Sequence, residues 1–219
     1  MELEVWSDIA CPWCYIGKRR LERALAEFEH RDEVTITWRS FELDSSAPPE
    51  REGELAGHLA RKYGMPIEQA RASQAQLTEA AAGEGLEFHL DRARSGNTFD
   101  GHRLVHLAAA HGRQAEMKER LLRAYFIEGR LISDPATLHE IGSELGLPAG
   151  EVAETLASDR FAAAVREDEQ TAAGLGLSGV PTFIVDRRIG VTGAQPPELL
   201  LQMLRQGYER AGEVPAAAS

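Results

Sequence analysis

Cysteine is nearly absent: the chain of 219 residues has two, Cys11 and Cys14. That count excludes a disulfide framework, and a chain of this length buries roughly 70% of its unfolded surface without one. No apolar run approaches the roughly 18 residues of a membrane-spanning helix. Positive charge is also short: 24 Lys and Arg stand against 35 Asp and Glu, for a net charge of −11. The balance removes the general electrostatic case for nucleic acid or an anionic membrane as partner. Internal repeats are missing, and the only biased stretch is a short tail at 215–219 that is expected to fray. With 43% hydrophobic and 27% charged residues, the composition is that of a folded globular chain. Met1-Glu2-Leu3-Glu4-Val5 has neither the basic nor the apolar part of a secretory leader, so a cytoplasmic location is expected. In that reducing compartment a structural disulfide is not expected, which directs attention to the two cysteines.

The patterning changes twice along the chain. Leu3 and Val5, with the residues up to Asp8, suit a short strand. Leu21, Leu25 and Phe28 then recur at helical spacing between Pro12 and Glu29. Val34, Ile36 and Trp38 alternate with polar residues as in a half-buried strand, which completes a βαβ unit. After Asp44 the pattern is helical to about Leu175. Apolar stripes run through Leu55/Leu59, Ile67 to Ala82, Leu104 to Ala110, Met117/Leu121/Tyr125, Leu138/Ile141/Leu145 and Phe161/Val165/Ala172/Leu175. Leu86 to Leu90 reads as a stray strand or an extended link. Strand character returns at Val180 to Val185, with Ile189 to Thr192 as a hairpin partner. Pro196-Pro197 opens a last helix, with Leu199, Leu200, Met203 and Leu204 facing inward. The reading is an α/β frame of residues 1–43 and 176–219, interrupted by a helical insertion at 44–175.

Cys11-Pro12-Trp13-Cys14 falls between the first strand and the first helix. A helix N-terminus offers unpaired N–H groups and the positive end of the helix dipole, both of which favour a thiolate. Cys11 at the helix mouth is therefore expected to be exposed, with its pKa lowered from ~8.5 to roughly 3.5–7.5. Cys14, one turn further in, is expected to be more covered. Two thiols at this spacing can close a small disulfide and reopen by attack of a third thiol. The alternatives are two inert buried cysteines, or part of a zinc site. Zinc normally takes four ligands, and the His102/His106 and His106/His111 pairs sit within one helical pattern, so no metal is expected. Ser178-Gly179-Val180-Pro181-Thr182 opens the returning strand, where a proline costs no ladder hydrogen bond.

Ser7-Asp8-x-x-Cys11-Pro12-Trp13-Cys14-Tyr15, with Gly179-Val180-Pro181-Thr182 downstream of a helical insertion, resembles the DsbA-like branch of the thioredoxin superfamily. Asn97-Thr98-Phe99-Asp100-x-His102-Arg103-Leu104 and Thr192-Gly193-Ala194-Gln195-Pro196 look more narrowly like FrnE-type oxidoreductases of that branch. The resemblance spans nearly the whole chain. It implies a thioredoxin-like fold (βαβ…ββα) with a large all-helical insertion, and a thiol–disulfide oxidoreductase acting on a thiol or disulfide, in a protein or a small molecule. Cys11 and Cys14 are then catalytic, and Pro181 is a cis-proline facing them. Val180 offers backbone groups to an extended substrate. No cofactor is implied beyond glutathione or another thiol as partner. Periplasmic DsbA-like members carry a leader and commonly a histidine in the dipeptide between the cysteines; Trp13 stands there in this chain. Kappa-class glutathione transferases and 2-hydroxychromene-2-carboxylate isomerases resemble the same scaffold but use serine where Cys11 stands. A glutathione-dependent isomerase or transferase is accordingly one rival reading. A non-catalytic chaperone or binding module is another.

Further candidates each have a plainer reading. Asp8 holds or relays a proton near Cys14, or anchors a loop. Trp13 contacts substrate, or packs on the helical insertion. The resemblance puts Asn97 and His102 on the rim between frame and insertion, although Asn97 also suits a helix N-cap. Gln195 contacts the site, or shapes the entry to the last helix.

Overall fold

The computed structural model describes residues 1–212. The tail expected to fray lies outside these residues. Strand β1 (Glu2–Ser7) leads into helix α1 (Pro12–Ala26), and β2 (Thr35–Ser40) runs parallel to β1. Strand β3 (Thr182–Val185) pairs antiparallel with β1, and β4 (Ile189–Thr192) pairs antiparallel with β3. The sheet order is therefore β2–β1–β3–β4, followed in the chain by helix α9 (Pro197–Gly212). Asp186 and Arg187 turn the β3–β4 hairpin with φ of 47° and 54°, the left-handed conformation that matches hairpin twist. Their side chains are tied to β1, Asp186 accepting from the Glu2 N–H and Arg187 pairing with Glu4.

Alternation along the strands sorts the two faces of the sheet. Leu3, Val5, Phe183 and Val185 join Ile16 and Leu21 of α1 and Leu200 and Leu204 of α9 in one core. Trp6 and Ile184 point the other way, against Ala172.

Between β2 and β3 lie α2 (Leu55–Tyr63), α3 (Ile67–Ala82), α4 (Phe99–Ala110), α5 (Gln114–Phe126), α6 (Pro135–Glu144), α7 (Ala149–Ala157) and α8 (Ala162–Gly174). Their apolar side chains, including Leu104, Leu107, Leu121, Leu138 and Val152, belong to the same core cluster as Leu3 and Val5. The apolar interior thus runs from frame to insertion without a break. Ala172 lies on α8, whose Asp168 carbonyl accepts from Trp6 Nε1 at 3.0 Å.

Several expectations need correction. Helix α7 carries no apolar stripe in the sequence, because it is short and buries only Val152 and Thr155. The segment Leu86 to Leu90 forms no strand; it is an extended link that buries Leu86, Phe88 and Leu90. Leu199 faces outward at 39% exposure, one position off the inward line of Leu200, Met203 and Leu204. Leu175 is likewise exposed, since it caps α8 rather than extending its stripe.

Candidate functional site

The site starts where β1 ends. Cys11 is the N-cap of α1 with extended backbone, and Pro12 takes the first helical position, where its missing N–H leaves no partner unmet. Cys14 then falls on the first turn, and both cysteines are free thiols. Opposite them, the Val180–Pro181 peptide bond is cis. The Cys11 thiol donates to the Val180 carbonyl, with Sγ 3.6 Å from the oxygen. The loop before β3 is held there by Thr182, whose hydroxyl donates to the Gly179 carbonyl at 2.8 Å. Gly17 of α1 lets this loop come close: a Cβ on it would lie 2.8 Å from Pro181 Cγ.

Cys11 is not the exposed, acidic thiol that the helix mouth suggests. It is 4% exposed and Cys14 1%. The adjoining Cys14 sulfur, burial and the negative charge of Asp8 push the Cys11 thiol well above its ordinary pKa, against the pull of the Cys14 N–H. The helix N-terminus acts on a sulfur that lies against Cys14 and is removed from water, and these two effects together outweigh it. Cys11 lines a cleft of 410 Å³, and Cys14 does not.

That cleft joins frame to insertion. Cys11, Pro12, Trp13, Gly179 and Val180 form one side; Leu55, Leu59, Tyr63 and Leu77 of α2 and α3 form the other. Trp13 is 45% exposed and faces Leu59 and Leu77 across the opening. Lys62 adds a positive charge, burial and the neighbouring Arg51, Lys62 and Arg61 hold His58 below its ordinary pKa, and Arg51 is spent on Asp44.

Beneath the cysteines is a buried polar cluster. Asp8 Oδ1 accepts from Thr98 Oγ1 at 2.9 Å, His102 Nε2 at 3.3 Å and the Ala10 N–H at 3.3 Å, and Oδ2 accepts from the Leu43 N–H at 2.8 Å. Burial works against its charge, but the His102 hydrogen bond, the Leu43 N–H and the Lys118 charge outweigh it and hold the carboxyl below its usual range. Burial likewise pushes His102 down despite Asp8, so it is a neutral imidazole; facing the carboxylate, Nε2 is assigned the proton. Lys118 of α5 is 1% exposed and donates to the Ser7 carbonyl at 2.9 Å. Burial brings its pKa down to about 8, against the charges of Cys14, Asp8, Cys11 and Asp168.

The structure therefore brings Asp8 and His102 together under the cysteines and separates two other candidates from them. Asn97 precedes the N-cap, which is Thr98, but its side chain still accepts from the Phe99 N–H at 2.8 Å. The N-cap expectation is thus off by one position. Gln195 bonds within its own turn, Nε2 to the Thr192 carbonyl at 2.7 Å, and it does not line the cleft. Two residues escaped the sequence reading, Thr98 and Lys118. The signal for Lys118 was available: Lys118, Leu121, Leu122 and Tyr125 fall at i, i+3, i+4 and i+7, so a lysine stands on an apolar line. Among the described residues, no group of three or more His, Cys, Asp or Glu side chains converges as a metal site would.

A sheet in the order β2–β1–β3–β4, with a C-x-x-C opening the first helix and a cis-proline facing it, defines a thioredoxin fold carrying a helical insertion. The chain belongs to the family of DSBA-like thioredoxin domains, which it matches over residues 2–205. It is 44% identical to a probable DsbA oxidoreductase from Streptomyces coelicolor, with a TM-score of 0.93 over 100% of this chain and 93% of that one. A cytosolic disulfide reductase, DsbM from Pseudomonas aeruginosa with GSH, is 22% identical with a TM-score of 0.68 over 95% of this chain and 100% of that one. A 2-hydroxychromene-2-carboxylate isomerase is 16% identical with a TM-score of 0.67 over 100% of both chains. The last two show the fold alone.

Proposed function

We propose that this protein is a thiol–disulfide oxidoreductase working through Cys11-Pro12-Trp13-Cys14, of the FrnE-like kind, in the cytoplasm. One observation carries the reading: of the two adjacent free thiols, Cys11 lines the cleft and meets the Val180 carbonyl, while Cys14 lies behind it. In the oxidising direction, a substrate thiolate attacks the Cys11–Cys14 disulfide at Cys11, and Cys14 leaves as thiolate. A second substrate thiolate then attacks the substrate-side sulfur of the mixed disulfide and releases Cys11. In the reducing direction Cys11 attacks the substrate disulfide and Cys14 resolves the adduct. Trp13, Val180 and Pro181 form the docking wall, and Asp8 with His102 holds the floor. No resident cofactor takes part. Glutathione or a similar thiol restores the dithiol after the reducing direction, and the corresponding disulfide, oxidised glutathione, restores the Cys11–Cys14 bond after the oxidising one, roles supported by the fold shared with a reductase described with GSH.

The cleft, lined by Leu55, Leu59, Tyr63 and Leu77, also favours a second reading, a glutathione-dependent isomerase or transferase acting on a small apolar substrate. Both are tested by exposing Cys11→Ser and Cys14→Ser to oxidised glutathione and a model protein disulfide, with adducts followed by mass spectrometry. The dithiol mechanism requires no turnover in Cys11→Ser and accumulated mixed disulfides in Cys14→Ser. Full turnover of a small substrate by Cys14→Ser establishes the second reading instead. Absence of adducts in both variants leaves a non-catalytic binding module.

A further inference from the structure

We propose that Glu42 is a pH-sensitive latch: its neutral carboxyl closes the loop after β2 onto helix α8, and its ionisation releases that loop, which forms part of the cleft wall. The latch is a property of the fold and stands apart from the thiol chemistry proposed above. The Glu42 side chain is 1% exposed. Arg166 Nη1 of α8 lies 2.6 Å from Glu42 Oε2 and 2.6 Å from Glu169 Oε2. Two oxygens at that distance from one nitrogen are within about 5 Å of each other, where ionisation of one carboxyl opposes ionisation of the other.

The surroundings supply little to offset a second charge. Among the described residues, Arg166 is the cation that pairs with either carboxyl. It is itself 44% exposed and lies over the Phe99 ring of α4 at 4.2 Å. From the α3–α4 connection, Asn97 Nδ2 donates to Glu42 Oε1 at 3.4 Å. The other charged groups nearby are engaged elsewhere. Asp168 of α8 is held by the Ser40 N–H, Arg39 and His106, His102 of α4 faces Asp8, and Asp44 on the same loop pairs with Arg51. Burial and the Glu169 charge push the Glu42 carboxyl up to about 7, against the hydrogen bond and charge of Arg166.

The next residue connects this pair to the cleft. The Leu43 N–H donates to Asp8 Oδ2 at 2.8 Å, and Leu43 and Asp44 line the cleft with Cys11. Behind them, Glu42 and Glu169 line a second cavity of 300 Å³ with Phe41, Ser45, Ala173 and Leu177, which gives the proton a way to water and the loop room to move. A carboxyl whose folded pKa lies above its unfolded value of ~4.3 stabilises the fold fully below that value and loses the contribution as pH rises through the folded midpoint. Loss of the Glu42 proton puts two negative charges against one half-exposed guanidinium. Outward movement of the loop relieves that repulsion, and it takes the Leu43 N–H away from Asp8.

The test is amide hydrogen exchange of residues 42–47 between pH 5.5 and 8.5 in wild type and Glu42→Gln, each rate divided by its intrinsic rate at that pH. Protection of this segment, the Leu43 amide above all, is expected to fall about tenfold across the range in wild type. Glu42→Gln, which keeps the neutral shape, is expected to hold the low-pH protection throughout. Flat protection in wild type overturns the proposal. A fall of equal size in Glu42→Gln also overturns it, because another titrating group, such as His58 or Lys118, then drives the change. Should the variant fail to fold, carbon-detected NMR of the wild-type glutamate carboxyls decides. The Glu42 midpoint must lie well above ~4.3, with the Leu43 amide shift following the same curve; a midpoint near that value, or a Leu43 amide that ignores it, overturns the latch. Neither result bears on whether Cys11 and Cys14 exchange disulfides, so the two readings fail separately.

Discussion

The Cys11 sulfur and the Val180 carbonyl oxygen lie 3.6 Å apart, the thiol donating. The sulfur proposed to meet substrate is thus held, in the reduced protein, by a backbone group of the proposed docking wall. Its proton is retained by the adjoining Cys14 sulfur and by burial.

Alkylation of the reduced protein should accordingly keep accelerating above pH ~8.5, the midpoint of an ordinary thiol. The measurement is the iodoacetamide rate as a function of pH, with the modified cysteine identified by mass spectrometry. A plateau reached below pH 7 would contradict the buried, proton-retaining Cys11.

Gly17→Ala tests the contact between α1 and the cis-proline loop. The added methyl would sit 2.8 Å from Pro181 Cγ and 3.3 Å from Phe183 Cζ, so the loop must move. Overpacking of this kind costs about 1–3 kcal/mol, and exchange activity should fall beyond what the loss of folded protein explains. Unchanged activity and Tm would show that the loop yields freely.

Acid should weaken the fold through Asp8 and His102. Both have folded pKa values below their ordinary ones, so the unfolded chain binds protons more readily. Their stabilisation is complete above the unfolded histidine value of ~6.5. The His102 part is lost as pH falls from there, and the Asp8 part is lost below ~3.9. Chemical denaturation of His102→Gln should show lower stability than wild type at pH 7 and a shallower decline between pH 7 and 5. Parallel pH profiles would remove His102 from the acid response. Asp8→Ala, which leaves buried donors unpaired, should cost about 3 kcal/mol.

The sequence carried the frame well. A cysteine pair at a strand–helix junction and an apolar run after Gly179-Val180-Pro181 are local features, and the structure places both as read. The site floor was less legible because it is built across the chain: Thr98, His102 and Lys118 reach Asp8 or its neighbour Ser7 from α4, its N-cap and α5. No spacing rule links such positions. The acidity of Cys11 was misjudged for a related reason. A helix N-terminus can be seen in sequence, whereas the burial of the sulfur against the Val180 carbonyl cannot.

Trp13 offers a functional test with little structural cost. Half exposed at the cleft mouth, it should tolerate Trp13→Ala with less than ~1 kcal/mol lost, since surface changes of this kind are small. KM for a disulfide substrate should rise several-fold with kcat much less affected. A kcat loss at constant KM would move Trp13 from docking to chemistry.

The unbroken apolar interior, with Asp8 satisfied by Thr98 and His102 from the inserted segment, has a consequence for ancestry and for engineering alike. The segment is an insertion in chain order only. A frame stripped of it would leave the Asp8 carboxylate with only the Ala10 and Leu43 N–H groups as partners and would open the shared interior to water. Chimeras that exchange this segment between relatives should therefore work only when residues 8, 98, 102 and 118 travel together, which makes those positions, rather than the chain boundaries near 44 and 175, the true seam of the molecule.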